Sequence, residues 1–126
     1  MSKTLKPNQP AARILVVEDE GELGLWLNIV LAERNLDLDY VSNLLAASEY
    51  LEKHKPAIII LDNKLPDGYG VDFITFIRKK HPASKIIMLT GYAAIKDVAL
   101  ANGADRFFEK PFDLDAFNKA MDELLN

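Results

Sequence analysis

The segment that decides the fold is residues 57–70, which read AIIILDNKLPDGYG. It opens with a continuous apolar run rich in isoleucine, a pattern typical of a strand that is buried on both faces of a parallel sheet. The run stops at Asp62, and residues 63–70 are dense in residues that favour turns. The segment therefore predicts a central strand with a carboxylate at its carboxyl end.

Similar short apolar runs lie on both sides of this strand. Residues 14–17 and 86–89 are rich in β-branched and aliphatic side chains, and residues 105–109 form a shorter run with two phenylalanines. Residues 36–41 alternate apolar residues with aspartates, a pattern that fits an edge strand better than a central one. Together these runs predict five strands.

Helical spacing fills the intervals between the strands. Residues 23–31 place Leu23, Trp26, Leu27, Val30 and Leu31 on one stripe of an amphipathic helix. Comparable patterns predict further helices near residues 44–51, 73–81, 93–101 and 114–124, with Ser42 or Asn43 capping the second and Asp113 the last. Alternating strands and helices predict an α/β fold, a doubly wound parallel sheet covered on both faces.

Length and composition fit one domain and exclude several classes of function. The chain has 126 residues, of which 49% are hydrophobic, and it has no cysteine. Disulfides, thiolate catalysis and cysteine-ligated zinc are therefore excluded. A net charge of −4 gives no basic face for nucleic acid, and no apolar run approaches the length of a membrane span. Residues 1–12 are predicted to be a flexible leader before a domain over residues 13–126.

Charged and hydroxyl side chains collect where the predicted strands end. In an open parallel sheet, sites form at the carboxyl ends of the strands, which here carry Glu18 and Asp19, then Asp62, then Thr90, then Lys110. Each acid alone could simply cap the helix that follows it, and Lys110 alone would be an ordinary surface lysine. Carboxylates that converge repel each other unless a cation intervenes. The set therefore favours a site for Mg²⁺ or Mn²⁺.

The same residues indicate phosphoryl chemistry. A carboxylate beside a metal can attack phosphorus and form an acyl phosphate. The transferred group carries negative charge, which a lysine ammonium and a threonine hydroxyl can stabilise. Asp62 is the candidate nucleophile, with Lys110 and Thr90 as the stabilising groups.

This combination resembles the receiver domain of two-component response regulators. The resemblance covers residues 13–125 and rests on the acidic pair, D-x-x-x-P-D-G from Asp62, Thr90, and Lys110-Pro111-Phe112. It implies a flavodoxin-like (βα)₅ fold with strand order 2-1-3-4-5. It also implies that Asp62 is the phosphoacceptor and that the metal ligands are Glu18, Asp19, Asp62 and the backbone carbonyl of Lys64. Thr90 and Lys110 would bind the phosphoryl oxygens, and Thr90 and Phe107 would form the switch pair. The side chains of Lys64 and Tyr92 would modulate the lifetime of the phosphoryl group.

The resemblance further implies partners and a mode of action. The phosphodonor would be a sensor histidine kinase or a histidine phosphotransfer protein, and output would pass to a downstream protein target or a fused output domain. A homodimer through the fourth helix, fifth strand and fifth helix is a further expectation. Such a cytoplasmic protein is a switch and not an enzyme, because it catalyses only its own phosphorylation and slow dephosphorylation. The chain departs mildly from the commonest receiver pattern at two positions. Glu18 is one methylene longer than the aspartate that is frequent there, and Phe107 lacks the hydroxyl of the tyrosine that is common at the switch position.

Three other functions compete with this interpretation. A haloacid-dehalogenase-type phosphatase needs an acid two residues after its nucleophile, where this chain has Lys64. An FMN carrier needs a phosphate loop after the first strand, but that loop is acidic here. A receiver-like interaction module that takes no phosphate would not need the intact set of acid, threonine and lysine. His54 and His81 are predicted to be surface residues, and Trp26 to be part of the core.

Overall fold

The fold is built on a sheet of five parallel strands. The computed structural model describes residues 11–126. Its strands are β1 Ala12–Val17, β2 Leu36–Val41, β3 Ile58–Asp62, β4 Lys64–Leu65, β5 Gly68–Tyr69, β6 Lys85–Thr90 and β7 Arg106–Glu109. The large sheet has the order β2-β1-β3-β6-β7, while β4 and β5 form a separate hairpin. Without the hairpin this is the order 2-1-3-4-5, so the predicted fold class is confirmed.

Helices cover both faces of the sheet. They are α1 Gly21–Val30, α2 Leu44–Lys53, α3 Gly70–Lys80, α4 Lys96–Asn102 and α5 Leu114–Leu125. Two of the predicted caps are present, since Asn43 accepts a hydrogen bond from the Ala46 amide and Asp113 accepts one from the Ala116 amide. Within residues 11–126, no helix has both the length and the apolar character needed to cross a membrane.

The central strands separate two apolar cores. Alternate residues of β1 and β3 point to opposite faces, so Leu15 and Ile59 pack beneath α2 and α3, whereas Ile14 and Ile58 pack beneath α1 and α5. All four side chains are fully buried. This explains why the isoleucine run of β3 is continuous and not alternating. β2 is half-buried, as expected for an edge strand.

Several details differ from the sequence-based expectations. β1 begins at Ala12, one residue before the predicted domain boundary, and residues 1–10 of the predicted leader lie outside the described part of the chain. The fourth helix starts as a 3₁₀ turn at Ala93–Ile95 before α4 begins. The prediction that His81 lies on the surface is wrong. Its side chain is buried because the end of α3 packs against α2, where His81 Nε2 lies 2.6 Å from the Leu51 carbonyl oxygen.

Candidate functional site

Asp62 lies on the floor of a cleft at the carboxyl end of the sheet. The strand β3 carries its carboxylate to this edge, and only 7% of the residue is exposed. The cleft has a volume of about 840 Å³, and its lining includes Asp19, Asp62, Lys64, Thr90, Tyr92 and Lys110. The structure therefore places side chains from the carboxyl ends of four strands around one cleft.

The carboxylate of Asp62 has a different partner on each oxygen. Oδ1 accepts a hydrogen bond of 2.7 Å from the Asn63 amide, and Oδ2 lies 3.1 Å from Lys110 Nζ. Lys110 is held at this depth because its own amide donates to the Thr90 carbonyl oxygen at 2.8 Å. The ion pair places a cation directly beside the buried carboxylate.

Glu18 is buried and is not among the residues that line the cleft. The residue is 8% exposed, and its Oε2 has no hydrogen-bond partner among the described residues. Burial raises the pKa of its carboxyl group, and the nearby charge of Asp62 adds to the effect, while backbone hydrogen bonds from Glu20 and Gly24 and the charge of Lys110 act in the opposite direction. Glu18 is thus a buried acid with an open acceptor close to Asp62.

The oxygen donors around the cleft suit a hard cation. Asp19 is exposed at the rim, and no three acidic or histidine side chains in residues 11–126 are grouped into a ready metal centre. Mg²⁺ typically uses one or two carboxylates and retains several waters, so such a group is not required. Asp19, Asp62 and the unpartnered Glu18 oxygen have the chemistry of this donor set.

Thr90 and Phe107 lie on neighbouring strands next to the cleft. Thr90 is 5% exposed, and its Oγ1 accepts a hydrogen bond of 3.1 Å from the Tyr92 amide. Phe107 pairs with Met88 in the register of β6 and β7, and its half-buried ring packs against the core beneath α3 and α4. Phe108 belongs to the opposite core. Phe107 therefore does not reach the cleft in this conformation, although it lies on the strand beside Thr90.

The hairpin after Asp62 is a feature that the sequence analysis misses. β4 and β5 pair in antiparallel fashion, and Gly68 has a φ of 152°, a backbone conformation that favours glycine. Proline, aspartate and glycine in succession are the signal that could have predicted this turn. Gly70 closes the base, because its amide donates to the Asn63 carbonyl oxygen at 2.6 Å and a Cβ there would collide with the Asp62 carbonyl oxygen.

The side chains of Lys64 and Tyr92 lie at the mouth of the cleft. Both residues are exposed, Tyr92 by 60%, and both line the opening. Tyr69 is a third exposed residue of this rim, which the sequence analysis does not identify. These bulky side chains surround the opening of the cleft that contains Asp62.

Comparison with known proteins agrees with this geometry. The model of the response regulator receiver domain matches residues 14–122, and the chain belongs to this family. It is 34% identical to the response regulator protein PilR of Pseudomonas aeruginosa, over 81% of this chain and 23% of the relative. It is 31% identical to the transcriptional regulatory protein TctD of Salmonella typhimurium, over 90% of this chain and 51% of the relative.

The chain thus spans about a quarter to a half of the length of these curated relatives. Two solved receiver domains match along nearly their whole length. The receiver domain of a putative Luxo repressor protein from Vibrio parahaemolyticus superposes with a TM-score of 0.83 at 29% identity, covering 91% of this chain and 90% of that one. The beryllofluoride-activated NtrC4 receiver domain, a dimer in solution, gives 0.82 at 33% identity and covers 89% and 94%. The chain is therefore a receiver domain related to regulatory proteins.

Proposed function

We propose that this receiver domain is a signalling switch that accepts a phosphoryl group on Asp62 in a Mg²⁺-dependent reaction. The observation that carries the proposal is the Lys110 ammonium 3.1 Å from Asp62 Oδ2 at the floor of an open cleft. A buried carboxylate such as that of Asp62 is stabilised by a cation, and the Lys110 ammonium can move from this carboxylate to an incoming phosphoryl group. Family membership supports the same chemistry.

The reaction transfers the phosphoryl group between two side chains. A carboxylate oxygen of Asp62 attacks the phosphorus of a phosphohistidine on the donor protein, a new P–O bond forms, and the P–N bond breaks. The imidazole leaves with the electron pair of that bond and takes up a proton. The Lys110 ammonium and the Thr90 hydroxyl then bind oxygens of the phosphoryl group, where negative charge is spread in the transition state.

The acidic residues and one carbonyl group are proposed to hold the cation. Asp19 and Asp62 supply carboxylate oxygens, Lys64 supplies its backbone carbonyl, and Glu18 acts directly or through water. Mg²⁺ or Mn²⁺, when bound, neutralises charge on the phosphoryl oxygens. The open acceptor of Glu18 supports a partly hydrated ion held by few side chains.

Phosphorylation is proposed to change the surface formed by α4, β7 and α5. The Thr90 hydroxyl would move to the phosphoryl group, and Phe107 would turn into the space behind it, which biases two conformations of this surface. Val98 and Leu100 of α4 are large apolar residues exposed there. Dimerisation, or docking of a downstream target or a fused output domain, is the proposed result, with a sensor histidine kinase or histidine phosphotransfer protein as donor.

Covalent labelling tests the proposal directly. Incubation with acetyl phosphate and Mg²⁺ should add one phosphoryl group, measured by intact mass and released by hydroxylamine. Asp62→Asn and removal of Mg²⁺ with a chelator should each abolish the adduct. Asp72→Asn, which changes an exposed acid of α3 outside the cleft, should leave it unchanged. Labelling that persists in Asp62→Asn would assign the acceptor to another residue.

A further inference from the structure

Asp67 joins the hairpin beside the phosphoacceptor to the start of α2. It lies in the turn between β4 and β5, and its two carboxylate oxygens accept hydrogen bonds from the Leu44 and Leu45 amides at 2.8 and 2.9 Å. These are the first two residues of α2. A single side chain far along the chain therefore satisfies two of the amides that a helix leaves unpaired at its N-terminus.

The helix cannot satisfy these amides by itself. Its own cap, Asn43, accepts only from the Ala46 amide, at 2.7 Å. A carboxylate is also well suited to the positive end of a helix dipole. The two amide hydrogen bonds lower the pKa of Asp67, so the carboxylate stays charged and bonded at neutral pH.

Packing reinforces this connection. The hairpin tip lies against α2, since a Cβ on Gly68 would be 2.9 Å from Leu44 Cδ1. α2 is itself firmly anchored, because Ala47 and Leu51 are buried in the core beneath it. The tip of the hairpin is thus held by a rigid helix.

The base of the hairpin is held independently, next to the phosphoacceptor. The Gly70 amide bonds to the Asn63 carbonyl oxygen, and the Asn63 side chain accepts from the Val71 amide at 3.1 Å. Lys64 lies between the base, which is held at Asn63 and Gly70, and the tip, which is held at Asp67. It pairs with Tyr69, the first pair of the hairpin above the base. With both ends fixed, the backbone at Lys64 has little freedom to move relative to Asp62.

We propose that Asp67 is a positioning residue for the phosphoacceptor loop: by bonding to the N-terminus of α2, it fixes the backbone of Lys64 beside Asp62. The inference rests on the proposed role of the Lys64 carbonyl as a metal ligand. Loss of the two hydrogen bonds between Asp67 and α2, which act as a tether, leaves Asp62 and Lys110 in place but loosens the Lys64 carbonyl. The consequence is weaker Mg²⁺ binding, whereas the carboxylate that reacts is unchanged.

Two matched variants separate positioning from simple helix stability. Asp67→Ala removes the tether, whereas Asn43→Ala removes the helix's own cap and leaves the hairpin attached. The Mg²⁺ concentration that gives the half-maximal rate of labelling by acetyl phosphate should rise about tenfold in Asp67→Ala. It should stay close to the wild-type value in Asn43→Ala. Asp67→Asn, which retains one carbonyl acceptor, should lie between the two.

Amide hydrogen exchange gives a readout that does not depend on phosphorylation. Exchange across the hairpin, at residues 64–70, should accelerate in Asp67→Ala relative to global unfolding and remain unchanged in Asn43→Ala. Equal exchange and equal Mg²⁺ dependence in the two variants would overturn the positioning role. A wild-type protein that takes no label would overturn the proposed function instead, and the exchange comparison would still decide whether Asp67 holds the hairpin.

Discussion

The two ends of the central sheet differ in how completely their polar side chains are hydrogen-bonded within the protein. At the amino end, Ser84 Oγ donates to the Pro56 carbonyl oxygen at 2.6 Å, and His81 contacts the Leu51 carbonyl. Arg78 bonds to the carbonyl groups of Pro82, Ser84 and Gly103 and to the carboxylate of Asp105. These buried and half-buried side chains are paired within the protein, so their role is structural.

At the carboxyl end, hydrogen-bonding capacity is left open. Within residues 11–126, Glu18 Oε2 has no hydrogen-bond partner, and Asp62 Oδ2 is paired with a lysine that can change partners. Leaving a buried acceptor unpaired costs free energy, which a structural role would not justify. The contrast indicates that polar residues at one end stabilise the fold and that those at the other are kept available for ligands.

The largest expected effect on stability lies at the amino end. Arg78→Met removes donors from several carbonyl groups and leaves Asp105 without its guanidinium, so the free energy of unfolding should fall by about 3 kcal/mol. Arg106→Met, whose pair with Glu123 is more exposed, should lose less than about 1 kcal/mol. Urea titration measures both. Equal losses would break the comparison, because Arg78 would then behave as a surface residue.

Removal of one hydroxyl at each end sharpens the contrast. Ser84→Ala leaves the Pro56 carbonyl unpaired in the interior and should cost about 1–2 kcal/mol without altering labelling by acetyl phosphate. Thr90→Val keeps the side-chain shape and should cost less, since water can replace its bond to the Tyr92 amide at the cleft. It should nevertheless abolish the amide shifts that phosphorylation causes around Phe107. Retention of these shifts would contradict the switch role of Thr90.

A third prediction concerns Tyr50, which lies between the two ends and donates to Asp39 Oδ2 at 2.7 Å. Burial, together with this hydrogen bond, raises the pKa of the phenol from 10.0 to about 12. The unfolded chain ionises first, so this contribution to stability is complete below pH 10 and is lost as pH rises towards 12. Tyr50→Phe should lack this loss between pH 10 and 12 in urea titrations, whereas Tyr69→Phe should retain it.

The smallest effect is expected at the rim of the cleft. Lys64 and Tyr92 are exposed and line its opening, where their bulk should hinder the water that hydrolyses the acyl phosphate. The double variant Lys64→Asn, Tyr92→Ala should therefore lose its phosphoryl group a few times faster than wild type, about threefold. The measurement is the decay of the adduct mass after the donor is removed. Equal decay rates would mean that both side chains remain in solvent.

The sequence predicts the sheet well because burial on two faces imposes a continuous apolar run. The isoleucines of β3 and the aspartates of β2 therefore indicate a central and an edge strand without any knowledge of tertiary contacts. The positions of Asp62, Thr90 and Lys110 follow from the same argument, since parallel strands end at a common edge.

Features that depend on distant partners are not visible in the sequence. His81 follows a basic helix end and looks exposed, but its burial depends on α2, which lies about thirty residues earlier. The hydrogen bond that the Asp67 carboxylate accepts from the Leu44 amide likewise joins residues 23 positions apart. The depth of Glu18 depends on the close approach of Gly24, where a Cβ would lie 3.2 Å from its carboxylate. Such details are set by packing and not by local propensity.

The two outer strands of the sheet also determine how copies of the chain can meet. β2 carries Asp37 and Asp39, and β7 begins with Arg106 and ends with Glu109. Charged residues on an edge strand oppose the edge-to-edge addition of another strand. An association of two copies through the proposed α4, β7 and α5 surface would therefore use side chains and not a shared strand edge. Such an association would leave the backbone edges of the sheet in water.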